Sequence, residues 1–68
     1  MITLKQVREG SIVYLRGDFG TGPLIRAIVT NVEQDIKNGL PGIDYYPATD
    51  AGDDRWAYLD QIQSVYKY

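Results

Sequence analysis

Residues 54–62 read DRWAYLDQI, and the way this stretch folds decides the build of the whole chain. Trp56 and Tyr58 alternate with Ala57 and Leu59. Alternation of that period belongs to a strand, with the two aromatics on one face and the small and aliphatic residues on the other. A small domain has one core, so only one of those faces points inward. Asp60, Gln61 and Ile62 then read as a single helical turn with Asp60 as its N-cap, because three residues are too few for a longer helix. A final strand is expected over residues 64–68.

Working upstream, glycine and proline divide the chain into short pieces rich in Val, Ile and Tyr, the composition of strands. Strands are expected over residues 11–16, 24–33, 43–48 and 55–59. No amphipathic stretch of ten or more residues survives between the breakers, so a long helix is not expected. Residues 3–8 form at most a short turn. In the second strand Ile25, Ala27 and Val29 share a face, and Val32 is out of phase by one. A bulge near Thr30 or Asn31 returns Val32 to that face and bends the strand, as small sheets bend when they curl into barrels. Residues 17–23 (GDFGTGP) and 34–42 (QDIKNGLPG) are expected as loops. Within the second, Asn38-Gly39 supplies the positive-φ pair of a tight turn.

The order of these pieces is itself informative. The first strand lies in VREGSIVYLRG, the bent second strand in AIVTNVE, and the last strand, turn and strand in WAYLDQIQSV. Together they resemble the Src-homology-3-like (SH3-like) small barrel, a group that includes the Tudor and KOW modules. The resemblance spans residues 7–67. It implies an all-β fold: a five-stranded SH3-like small barrel with one short helical turn before the last strand. The Ala-Leu-Tyr-Asp-Tyr run and the Pro-x-x-Tyr pair of the peptide-binding members are absent, so their proline-motif recognition does not carry over. The basic strand with a central glycine that marks KOW modules is absent too. The combination GDFGTGP, DIKNGLPGIDY and RWAYLDQI resembles short tailed-bacteriophage proteins of unassigned activity, which implies an origin rather than a function.

Composition narrows the chemistry. Sixty-eight residues make one domain, and such a chain buries only about 60 % of the surface its unfolded form exposes. There is no cysteine and no histidine, so neither disulfides nor a Cys/His metal site reinforces the core. Nucleophilic catalysis of the Ser-His or Cys-His kind lacks its base or its thiol. A pair of carboxylates has little depth in which to desolvate a substrate. The chain is therefore expected to be non-enzymatic, with no cofactor and no metal. GDFGTGP invites a phosphate-loop reading, but Pro23 and a strand follow it where a helix N-terminus is needed. Asp50, Asp53 and Asp54 lack the closing glutamate and spacing of a calcium loop and read as turn residues.

Nine acidic residues face seven basic ones, a net charge of -2. No two basic residues are adjacent, so no cationic run marks a nucleic-acid site, although a fold can still gather scattered charges. No apolar run reaches the ~20 residues of a membrane span, and the first residues lack the charged-then-apolar pattern of a secretory leader, so none is expected. A cytoplasmic protein is expected, in the host cytoplasm if the gene is a phage's.

The preferred register pairs Tyr45 with Leu59 and Tyr46 with Tyr58. It turns Ile43, Tyr45, Ala57 and Leu59 inward and Tyr46, Trp56 and Tyr58 outward; a slip of one exchanges the faces of the third strand. The outward set, with Arg55 beside it and Phe19 either folded over it as a lid or waiting for a partner, is the candidate partner-binding site. An exposed aromatic patch suits a protein or peptide, and the acidic balance favours that reading. Bases of a single-stranded nucleic acid could stack on the same rings. Self-association through the patch or an open strand edge is the third reading.

Overall fold

The computed structural model describes residues 2–68. Five strands form where the β-branched and aromatic residues concentrate: β1 (Ile12–Arg16), β2 (Leu24–Lys37), β3 (Leu40–Pro47), β4 (Arg55–Tyr58) and β5 (Ile62–Lys67). They make one antiparallel sheet in the order β4-β3-β2-β1-β5. The sheet is open, with β4 and β5 as its edges, so the expected barrel closure is not made by strand pairing among the described residues. A 3-10 turn, Leu59–Gln61, carries the chain from one edge to the other. A second, Leu4–Gln6, precedes β1. Each turn is closed by a glutamine. Thr3 N–H donates to Gln6 Oε1 at 2.8 Å, and Tyr58 N–H donates to Gln61 Oε1 at 2.9 Å. The expected helical turn is present but begins one residue early, so Asp60 lies inside it and is not its cap.

Alternation along each strand builds a single core. Val13 and Leu15 of β1, Ala27 and Val29 of β2, Ile43 and Tyr45 of β3, Ala57 of β4 and Ile62 of β5 are buried together with Val7 and Leu59. The bulge expected near Thr30 is found: Val29 pairs with Tyr45 and Asn31 with Asp44, so Thr30 has no opposite number. The skipped residue brings Val32 opposite Ile43, where it packs against the core.

Two expectations about connections are corrected. Residues 34–42 are not a loop: β2 runs on to Lys37 and β3 starts at Leu40. Asn38 (φ 57°) and Gly39 (φ 74°) turn the chain alone, two positive-φ residues matching the twist of the flanking strands. The Asp35 carboxylate accepts the Gly39 N–H at 2.8 Å. Pro41 and Gly42, within the expected loop, lie in β3.

The register between β3 and β4 is also different. Tyr45 pairs with Arg55, Asp44 with Trp56, Ile43 with Ala57 and Gly42 with Tyr58. The offset from the expected pairing is four residues, an even number, so the faces of Ile43, Tyr45, Ala57 and Leu59 are as expected. The turn causes the offset. Asp50 N–H donates to the Pro47 carbonyl and Asp53 N–H to the Asp50 carbonyl, which centres the reversal on Asp50.

Candidate functional site

The segment after β1 sets the site. Asp18 (φ 50°) and Phe19 (φ 56°) both adopt the left-handed region, so Gly17–Gly20 is a tight reversal and not a right-handed helix. A bulky residue seldom occupies that region. The Thr21 N–H and hydroxyl both donate to the Asp18 carbonyl, at 3.2 and 2.6 Å, and hold the reversal. Phe19 is thereby held out over β4. Its ring centroid lies 6.0 Å from that of Trp56, edge-on, and 6.2 Å from that of Tyr58. Trp56 and Tyr58 meet edge to face at 5.2 Å. Offset and edge-on contacts at such distances are the favourable aromatic geometries.

Phe19 does not bury the pair. It is itself 71 % exposed, and Trp56 retains 37 % of its surface. Three rings therefore stand together at the surface. An open groove of about 570 Å³ runs beside them, bordered by Asp18, Tyr45, Asp54, Arg55 and Gln61. A second depression, across Trp56, is bordered by Thr30, Asp44, Asp54 and Arg55.

Arg55 lies in both grooves and is bound to its neighbour. Its Nε and Nη2 donate to one oxygen of Asp53 at 3.1 and 2.7 Å. The Asp53 carboxylate, with a lesser contribution from the Tyr45 hydroxyl, holds the guanidinium above its ordinary pKa. This is the one ion pair among the described residues. Asp18, Asp44 and Asp54 around the rings have no such partner.

Of the residues expected at the site, Phe19, Trp56, Tyr58 and Arg55 are brought together. Tyr46 is not. It pairs with Ile28 of β2, and its ring is in contact with neither Trp56 nor Tyr58. The four-residue change of register removes it. One residue was missed: the Lys37 ammonium sits 5.5 Å from the Trp56 ring centroid. Only extending β2 through the expected loop brings Lys37 there, and the Asn38-Gly39 pair was the signal for that extension.

The acidic turn behaves as ordinary turn chemistry. Asp50 Oδ1 accepts the Gly52 N–H at 3.2 Å, and among the described residues no three acidic side chains converge as metal ligands would. No helix of the described residues is long and apolar enough to cross a membrane. In comparisons with known proteins, the chain matches no family model, no curated protein and no solved structure.

Proposed function

We propose that the chain is a non-enzymatic interaction module that holds an extended segment of another protein against Phe19, Trp56 and Tyr58. The observation that carries this reading is Phe19. Its backbone occupies a conformation that costs a non-glycine residue about 1–2 kcal/mol, yet the residue stays 71 % exposed. Core packing does not account for that arrangement, whereas a platform for an incoming apolar side chain does. The module is of SH3-like build. In support, β5 returns beside β1, a 3-10 turn separates β4 from β5, and one buried face serves all five strands.

The surroundings specify the segment further. Asp18, Asp44 and Asp54 border the grooves, so an apolar or aromatic anchor flanked by Lys or Arg fits best. Stacking a nucleic acid on the same rings would bring its phosphates against those carboxylates, which disfavours that alternative at this site.

Selection from a random peptide library with the full chain tests the proposal. Selected peptides should carry an apolar anchor with a flanking cation, alter Trp56 emission on binding, and bind Phe19→Ala at least about tenfold more weakly, the loss of one buried aromatic contact. Peptides that bind wild type and Phe19→Ala alike would place the site elsewhere.

A further inference from the structure

The sheet gathers charges that the chain order scatters. In β1, in β5 and in residues 24–32 of β2 there is no Asp or Glu, while Arg16, Arg26 and Lys67 are present. The order β2-β1-β5 makes these segments neighbours. Their outward face carries tyrosines as well. Tyr14 pairs with Arg26 across β1 and β2, and the Arg26 Nε and Nη2 donate to the Tyr14 hydroxyl at 3.1 and 2.7 Å. The guanidinium also lies 5.2 Å from the Tyr66 ring centroid. Tyr14 and Tyr66 meet edge to face at 6.0 Å.

Just past β5, Arg8 lies over the Tyr68 ring at 4.3 Å and donates through Nε to the Tyr68 main-chain oxygen at 3.2 Å. Lys67 pairs with Ile12 between the two clusters, and Glu9 is the one acidic side chain bordering the depression that Arg8, Lys67 and Tyr68 line. Tyr66 is 62 % exposed. The Tyr14 hydroxyl raises the Arg26 pKa first, followed by the charge effects of Tyr14 and Tyr66; no carboxylate contributes. Arg26 thus has aromatic neighbours and no counter-ion, and its Nη1 makes no hydrogen bond to the described residues.

We infer that this second face binds a short single-stranded nucleic acid, with bases stacked on Tyr66 and Tyr14 and phosphates set against Arg26, Lys67 and Arg8. Charge complementarity chooses the occupant: an anion is needed, and rings beside Arg26 and Arg8 favour one that has flat bases between its charges. A duplex hides those bases and offers its grooves to a protruding element, which this face lacks. The site is separate from the Trp56 groove, where carboxylates border the rings.

The experiment is fluorescence anisotropy of a labelled fifteen-nucleotide oligo-dT with the full chain, across a range of salt. Three phosphate contacts predict a slope of log K on log salt of about −2 for a single strand. Tyr66→Ala should weaken binding roughly 5- to 150-fold, one stacked base. Arg26→Ala should reduce the slope by about 0.7. Lys5→Gln, a charge change in the first 3-10 turn, should leave binding unaltered. Unchanged far-ultraviolet dichroism and Trp56 emission establish that each variant is folded. Lys67→Gln gives a second probe of the salt slope if Arg26→Ala does not fold.

Four outcomes would overturn the inference. They are no binding by wild type at low salt, equal binding by Tyr66→Ala, loss in Phe19→Ala as large as in Tyr66→Ala, and displacement of the oligonucleotide by polyglutamate of matched charge as efficiently as by unlabelled oligo-dT. The last would mean that an acidic protein segment is the better occupant.

Discussion

At Gly42 two neighbouring strands press on one α-carbon. A methyl group there would meet the Ala57 carbonyl of β4 and the Ile36 side chain of β2. Both are held by the sheet, so neither yields cheaply. Gly42→Ala should therefore cost about 1–3 kcal/mol, the range for overpacking a filled site. Urea denaturation that shows less than about 0.5 kcal/mol would mean that the hairpin is looser than described. Phe19 makes the opposite case. Exposed and in a left-handed backbone, it contributes little to the fold, and the ring contacts it makes are worth about 0.5–1.5 kcal/mol at most. Removing them also relieves none of the Asp18 conformation. Phe19→Ala should shift Trp56 emission to the red while its unfolding midpoint changes little. An unshifted spectrum would show that Phe19 does not lie on Trp56 in solution.

Turns and links between strands govern the elements. The β2–β3 hairpin depends on two consecutive positive-φ residues. Asn tolerates that region far better than Ala does, so Asn38→Ala should destabilise the protein by about 1 kcal/mol. The change should appear as a lower denaturant midpoint at constant m; a midpoint that does not move would contradict the two-residue turn. At the other end, buried Gln61 does two tasks. Besides accepting the Tyr58 N–H, its Nε2 donates to the Arg16 carbonyl at 2.9 Å, tying the 3-10 turn to the end of β1. Gln61→Leu keeps the bulk and strands both backbone groups. Leaving a buried polar group unpaired costs about 1–3 kcal/mol, so a loss of about 2 kcal/mol is expected in thermal or urea unfolding, and a neutral result would exclude the link. Ser11 has a similar position beside Tyr68: its hydroxyl accepts the Arg8 N–H at 2.8 Å and donates to the Tyr68 main-chain oxygen at 2.9 Å.

Over the whole molecule, a net charge of -2 conceals two surfaces of different character. One has rings bordered by Asp18, Asp44 and Asp54; the other has tyrosines beside Arg8, Arg26 and Lys67. The alternation of Trp56, Ala57, Tyr58 and Leu59 was enough to assign inward and outward residues, because side chains on a strand change face at every step and any even offset preserves the assignment. The phase break before Val32 was enough to locate the bulge. The five strands and the final helical turn followed from β-branched residues between glycines and prolines. None of this required knowledge of partners across the sheet. Tyr46 did require it: strand 43–48 has the same inward face whether Tyr46 meets Tyr58 or stands four residues away, and only the turn hydrogen bonds at Asp50 decide. Lys37 over Trp56 and Arg26 between Tyr14 and Tyr66 required it as well, since no local spacing relates residues nineteen and forty places apart in the chain. Local periodicity determined the faces of the strands; register and sheet order, which depend on long-range hydrogen bonding, decided which residues share a site.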